Sequence, residues 1–434
     1  MMDTSADKRV FKVWWERLTF CTYLIASLFM VLLSVSAVQE WTAPWNHISI
    51  FIACLLPPSL LILGKSQDGL KNFQFSAESL FFITILILGA LNIILSNNRN
   101  MSLHGMGLFL MSGIFSFIST LLLCDSLRKK TLLPGFFAAI YIFICLFGFY
   151  ELFKGSEINL FSGNPIPAGS LIILLSIGPM IKAQRSPAKS EFYLWLGSLF
   201  TGIILLILIG KKGPIVALLS MVIFLAMFFF KNFTKNFLIS ITAIMSAGYL
   251  IIIGRLNDLQ KILEGKEWTY SIYFRLENYF YGFHIFKKHP LMGTGFPSKI
   301  ANYYQDYQQY FSEKIPLREY TQFIEQINAL ENMTLTMLVE MGGLMSGTYI
   351  MLVLFCCLRL IQAIRKTPHH RCDLGFIMAG LIGFFVHSIT YDSLSFPNLN
   401  WVFHSILGMM LGLANASSKA TKSPNFLSKP QKSI

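Results

Sequence analysis

The sequence predicts an all-α polytopic membrane protein with about twelve transmembrane helices and one large outer loop. Three observations predict it. Of the 434 residues, 54% are hydrophobic and only 13% are charged, about half the charged share of an average soluble domain. Apolar stretches of spanning length recur along the chain, and the positive charges fall in alternate loops. A chain this short of charge cannot give a globule a polar skin. A soluble enzyme, a disordered chain and a disulfide scaffold are therefore excluded.

The apolar stretches lie near 19–38, 48–64, 79–96, 103–124, 132–150, 168–182, 193–210, 213–230, 236–253, 333–358, 375–391 and 401–416. Pro57-Pro58 interrupts the second and Gly178-Pro179 the sixth, breaks that neighbouring helices can satisfy. The chain then divides into an N-terminus (1–18), nine spans (19–253), an outer loop (254–332), three spans (333–416) and a basic, disordered tail (417–434). The first span is long and no small-residue cleavage pattern follows it, so it reads as a span and not as a removable signal. Most cysteines lie in apolar spans, and none has the C-x-x-C spacing of a metal site.

The formal net charge is +13, which invites a nucleic-acid reading until the charges are placed. Twenty-two of the lysines and arginines fall at the two ends and in the loops of one face. The short loops of the other face hold only Arg99, Lys154, Lys211 and Lys212. The positive-inside rule then makes both termini cytoplasmic. The charge is a topology signal directed at anionic lipid, with no nucleic-acid partner.

The outer loop, 254–332, is the one segment able to hold an outer subdomain. From Trp268 to Phe286 aromatic residues mix with Arg275, Glu277 and nearby Lys287, as in a helix lying at the membrane interface. Pro290 stops it, and Gly293 and Gly295 make a tight turn. Tyr303, Tyr307 and Tyr310 recur at helical spacing. They read either as a stripe packed on the spans or as a stacking surface for sugar rings.

Several positions put charge where charge is costly. Lys211 and Lys212 occupy a short outer turn, where they either snorkel to the headgroups or bind a phosphate. Arg275 either pairs with Glu267 or Glu277 or holds a diphosphate. Glu331-Asn332 precede the tenth span, as a helix start or as a general base at the rim of a membrane cavity. His387, with Asp392 nearby, ends the eleventh span as a packing residue or a polar site member. Glu340 lies about two turns inside the tenth span, where an acid calls for explanation. It stands beside a small-residue run that lets helices approach closely. In "FSGNPIPAGS", Asn164 turns the chain at the mouth of the sixth span. Asn164, Lys211, Lys212, Arg275, Glu331 and His387 all gather on the outer face, as a site for an anionic, lipid-attached ligand would require.

These pieces resemble the O-antigen ligase and polymerase superfamily of bacterial inner-membrane proteins. "FSGNPIPAG" looks like its Asn-Pro turn before a span. "GKKGPIVALLS" stands where the family has a Ser-Arg-Gly run, with Lys212 in place of the Arg. "FRLENYFYGFHIFKKHPLMGTGF" resembles its Arg-led helix and Pro-Leu-x-Gly-x-Gly turn, with Arg275 as the Arg. "ALENMTLTMLVEMGGLMSG" is similar to its His-Asn-led span ending in Glu-x-Gly, with Glu331 at the His position. The resemblance implies a GT-C-like membrane glycosyltransferase that needs no metal and no cofactor and faces the periplasm. Its donor would be a glycan on undecaprenyl diphosphate, and its acceptor another glycan or lipid A-core. Lys212 and Arg275 would hold the diphosphate with Lys211 assisting, Glu331 would act as base, and Asn164, Asn332 and His387 would support them. Membrane lipids and a chain-length regulator are the further partners it implies. Loss of the His tilts the reading from ligase towards polymerase. The competing class is a transporter or lipid-linked-sugar flippase, but the two halves of the chain do not match as transporter repeats do.

Overall fold

The structure is a computed structural model. It describes residues 4–32, 54–60, 62, 77–96, 98–124, 127–160, 164–229, 267–295, 330, 332–366, 371–389 and 391–422. The expected span at 236–253, the tyrosines at 303, 307 and 310, and Glu331 lie outside the described residues, as does the side chain of Arg275.

The described residues form α1 (Thr4–Leu32), α2 (Ala77–Leu95), α3 (Arg99–Phe109) and, after a π-helical turn at Leu110–Ile114, α4 (Phe115–Leu123). These are followed by α5 (Leu127–Phe153), α6 (Pro165–Leu175), α7 (Ile177–Arg185), α8 (Lys189–Ile209), α9 (Lys212–Phe229) and α10 (Glu267–Lys288). The last three are α11 (Met333–Lys366), α12 (Arg371–Ser388) and, after a 3₁₀ turn at Ser393–Ser395, α13 (Pro397–Lys422). No strand occurs among the described residues. Among the described residues, seven helical segments are long and apolar enough to cross a membrane. They are Arg99–Leu123, Leu132–Phe153, Pro165–Arg185, Lys189–Ile209, Lys212–Phe229, Met333–Lys366 and Arg371–Ser388. Each coincides with an expected span. Leu80–Leu95 is a shorter apolar helix at the third expected position. The expected stretches 19–38 and 401–416 fall on α1, in part, and on α13.

Side-chain contacts give the helix directions. Ser27 accepts from Trp401 at 3.1 Å and Tyr23 donates to Ser405 at 3.0 Å, so α1 and α13 are antiparallel. Ser116 bonds Ser405 at 2.6 Å and donates to the Trp401 carbonyl at 2.8 Å. Thr120 faces Gly408 farther along the pair, so α4 and α13 are parallel. Gly408 is required there, since a Cβ would lie 2.2 Å from Thr120 Oγ1 and 2.3 Å from the Phe117 carbonyl. Lipid gives helices no hydrophobic drive to associate. Close approach at small residues and interhelical hydrogen bonds, at roughly 0.6 kcal/mol each, hold them instead.

The same reasoning runs α6–α7 antiparallel to α12. Ser170 meets His387 at one end and Arg185 pairs with Asp373 at 2.6 Å at the other. The end that holds Asn164, the Gly210–Lys212 turn, the Pro290–Gly295 turn and Tyr391–Phe396 is termed the upper end below. α13 is the core of the bundle: every residue from Asn398 to Ala414 is buried.

Candidate active site at the upper end

α11 is broken. Gly342 has φ 74° and ψ 172°, outside helical space. In an unbroken helix Gly343 and Leu344 would donate to the carbonyls of Val339 and Glu340. Here Gly343 donates to the Pro290 carbonyl at 2.8 Å and Leu344 to the Leu291 carbonyl at 3.2 Å. The two carbonyls so released accept from Thr294 at 2.9 Å and Gly295 at 3.1 Å. The Pro290–Gly295 turn thus docks into the break, and all four backbone groups are satisfied, as a buried break requires.

Glycine is obligatory on both sides of the seam. Gly293 and Gly295 have φ 71° and 114°, and a Cβ on Gly293 would lie 2.4 Å from the Glu340 carbonyl. The small residues after Glu340 therefore serve to break the helix and receive a turn, which sharpens the expectation of simple helix approach. Glu340 itself is buried, at 6% exposure.

Above the break, α10 runs parallel to the first turns of α11, with Gly282 against Leu335 and Phe286 near Gly343. The two helices converge on one acceptor at the end of α12. The Ile389 carbonyl takes hydrogen bonds from Tyr279 of α10 at 3.0 Å and from Asn332 Nδ2 at 2.9 Å. Asn332 also caps α11, since its Oδ1 accepts from the Leu335 amide at 2.9 Å. Arg275 lies one turn before Tyr279 on α10.

Two residues before Ile389, His387 is wholly buried. Its Nδ1 lies 2.6 Å from Ser170 Oγ and 3.0 Å from Ser393 Oγ. Asp392 is buried beside this group and accepts from the Ser395 hydroxyl. Burial pushes its carboxyl up to about 6, against the opposing pull of that hydrogen bond. Ser170, Ser393 and Tyr279 were not singled out from the sequence. A serine or tyrosine inside an apolar or aromatic run carries no signal until its partner is known.

Asn164 caps α6, accepting from the Ile166 amide at 2.9 Å, and Pro165 follows at a position where a missing N–H costs nothing. Gly169, on the same helix, seats Pro214 of α9: a Cβ there would lie 2.4 Å from Pro214 Cγ. This contact packs α9, which begins at the lysine turn, against α6. Gly210, with φ 68°, ends α8 in the left-handed conformation. Lys211 is half-buried and Lys212, the first residue of α9, is exposed.

The structure therefore joins Asn332 to the end of α12 that carries His387, and sets the Asn164 helix against the Lys212 helix. Among the described residues no group of three or more His, Cys, Asp or Glu is placed to hold a metal ion.

Residues 197–345 match the family model described as O-antigen ligase. That similarity supports a relation to the O-antigen ligase and polymerase superfamily. The match covers about a third of the 434 residues. It starts within α8 and ends just past the Gly342 break. It takes in Lys211, Lys212, Arg275, Glu331 and Asn332, and leaves Asn164 and His387 outside. No curated protein matches the chain. The match indicates an enzyme of glycosyltransferase type, and the apolar helices indicate a membrane protein.

Proposed function

We propose that the upper end faces the periplasm, in the inner membrane of a bacterium with both termini cytoplasmic, and transfers a glycan from undecaprenyl diphosphate to a glycan acceptor. Polymerisation of repeat units is the favoured form. The observation that supports it most is the convergence of α10 and the start of α11 on the Ile389 carbonyl. That contact sets the helix of Arg275 beside Asn332, the residue that follows Glu331 in the sequence.

In this reading Lys212 and Arg275 hold the diphosphate and Lys211 assists. The acceptor hydroxyl oxygen forms a bond to the anomeric carbon, with inversion. The bond from that carbon to the phosphate oxygen breaks, and its electron pair leaves with the diphosphate. Glu331 takes the hydroxyl proton. Fixed cations stabilise charge that grows on the leaving group, and they do so most strongly where water is excluded. No metal is needed for this step, because the side chains supply the positive charge. Asn164, Asn332 and His387 support these residues through the caps and contacts described above. A chain-length regulator is a partner that polymerisation would bring.

Surface glycans report the outcome. Loss of a polymerase leaves a single repeat unit on the core. Loss of a ligase leaves bare core, with long chains stranded on the lipid carrier. Arg275→Ala and Glu331→Ala should each reproduce the deletion pattern. A deletion that alters neither pattern, with a silent Arg275→Ala, would sink the transferase reading and leave a flippase or transporter.

A further inference from the structure

Asn92 lies on α2, one turn before the upper end of that helix, and is 2% exposed. Its amide donates to two carbonyls: to Met292, and to Glu340 at 2.9 Å. Met292 belongs to the docked turn, and Glu340 carries one of the carbonyls that the break releases. One side chain therefore spans the seam. One turn further on, Ser96 donates to the Thr294 carbonyl at 3.2 Å and accepts from Ser102 at 2.6 Å. Asn92 near the end of α2 and Ser96 just past it thus both hold the turn, at Met292 and at Thr294.

The geometry points to Asn92 as a positioning residue for the transfer proposed above, on which this inference rests. The turn ends α10, the helix of Arg275. The break lies two turns into α11, which Asn332 opens beside Glu331. The offset between the two helices is set where they interlock, and Asn92 is tied to both sides of that interlock. The chemistry fits the task. Two acceptors in different segments need two donors held in one plane, which a primary amide has and an acid, an alcohol or an aliphatic side chain lacks. A polar amide inside an apolar helix is costly unless it is used, and a purely apolar anchor would hold α2 against α11 without it.

The test uses the full chain in lipid nanodiscs, as wild type, Asn92→Leu, Asn92→Asp and the milder Asn92→Ser, which keeps one donor. Two quantities are followed. One is amide hydrogen exchange in 290–295 and 339–346, with α1 and α13 as internal reference. The other is steady-state transfer from an undecaprenyl-diphosphate-linked repeat unit. Asn92→Leu and Asn92→Asp should speed exchange across the seam about tenfold with the reference unchanged. The kcat should fall tenfold or more, with KM for the donor within about twofold, and Asn92→Ser should lie between.

Unchanged exchange at the seam overturns the clamp. Faster exchange with an unchanged kcat overturns the positioning role and leaves a structural tie. If Asn92→Leu and Asn92→Asp fail to fold, the same two outcomes are read from Asn92→Ser. If wild type shows no transfer while exchange behaves as expected, the transferase reading fails, and the positioning role with it. The clamp alone then survives, so the two failures are told apart.

Discussion

At Gly342 a methyl group would have to enter a space already filled. A Cβ there would lie 2.3 Å from the Leu291 carbonyl and 2.4 Å from the Gly293 amide nitrogen. Its backbone also has a positive φ that costs an L-residue about 1–2 kcal/mol by itself. Gly342→Ala should therefore destabilise the protein by about 3 kcal/mol or more, read as a large drop in melting temperature. Gly347, one turn on, has nothing within 4 Å of an added Cβ. Gly347→Ala should be neutral or stabilise by up to about 1 kcal/mol. Equal effects at the two sites would contradict the interlock.

Asp392 gives a second residue-scale test. Its folded carboxyl sits near 6 because burial favours the neutral form, so its ionised form is tolerated better in the unfolded chain. Stability from this group is full below about pH 4 and declines as pH rises through 6, by on the order of 3 kcal/mol. Asp392→Asn should remove that decline, seen as a wild-type-minus-variant difference that shrinks with pH. Much at this scale was legible in the sequence. Asn164 before proline reads as a turn at the mouth of the sixth span, and Gly293 and Gly295 read as a tight turn, because both signals are local; that Asn164 caps α6 came from the structure. What the turn docks against was not legible, since its partner at 339–344 lies more than forty residues away and leaves no mark on the intervening periodicity. His387 could be flagged as a polar oddity, but its partners Ser170 and Ser393 could not.

Among the elements, α6 separates capping from chemistry. Asn164→Ala should cost about 1 kcal/mol of stability through the lost cap. Asn164→Asp and Asn164→Ser restore the acceptor and should restore stability. If glycan transfer stays low in a stable Asn164→Asp, the amide has a role in the site beyond capping. If transfer returns with stability, its role is structural. The sixth span also shows how sequence and structure differ in detail. The expected interruption is Gly178-Pro179, whereas the turn in the span falls at Ser176. Pro179 sits in the first turn of α7, where a helix has N–H groups without intrahelical partners and a proline is tolerated. The irregularity therefore precedes the residue that causes it.

At the scale of the whole molecule, the antiparallel pairing of α1 with α13 puts the start of α1 and the end of α13 at one end of the bundle. Reporter fusions at the two termini should therefore give the same sidedness, and both should report cytoplasm. Opposite sidedness would contradict either the pairing or the placement of the spans. The loop-charge asymmetry predicts the orientation that these fusions test, because lysines and arginines mark it wherever the loops are short. The order of packing left no such trace. Interior and lipid-facing positions on a spanning helix are almost equally apolar, so periodicity cannot tell them apart.

The burial of α13 bears on how the protein is made. Every described helix that it touches precedes it in the chain, among them α1, α4, α6, α11 and α12. Until α13 leaves the ribosome, Tyr23, Ser27, Ser116 and Tyr349 lack the partners that Ser405, Trp401 and His404 later provide. The nascent bundle therefore waits with an unfilled polar seam in the bilayer, open to competing helices and to membrane quality control. Its maturation closes with the insertion of one helix, as a keystone closes an arch.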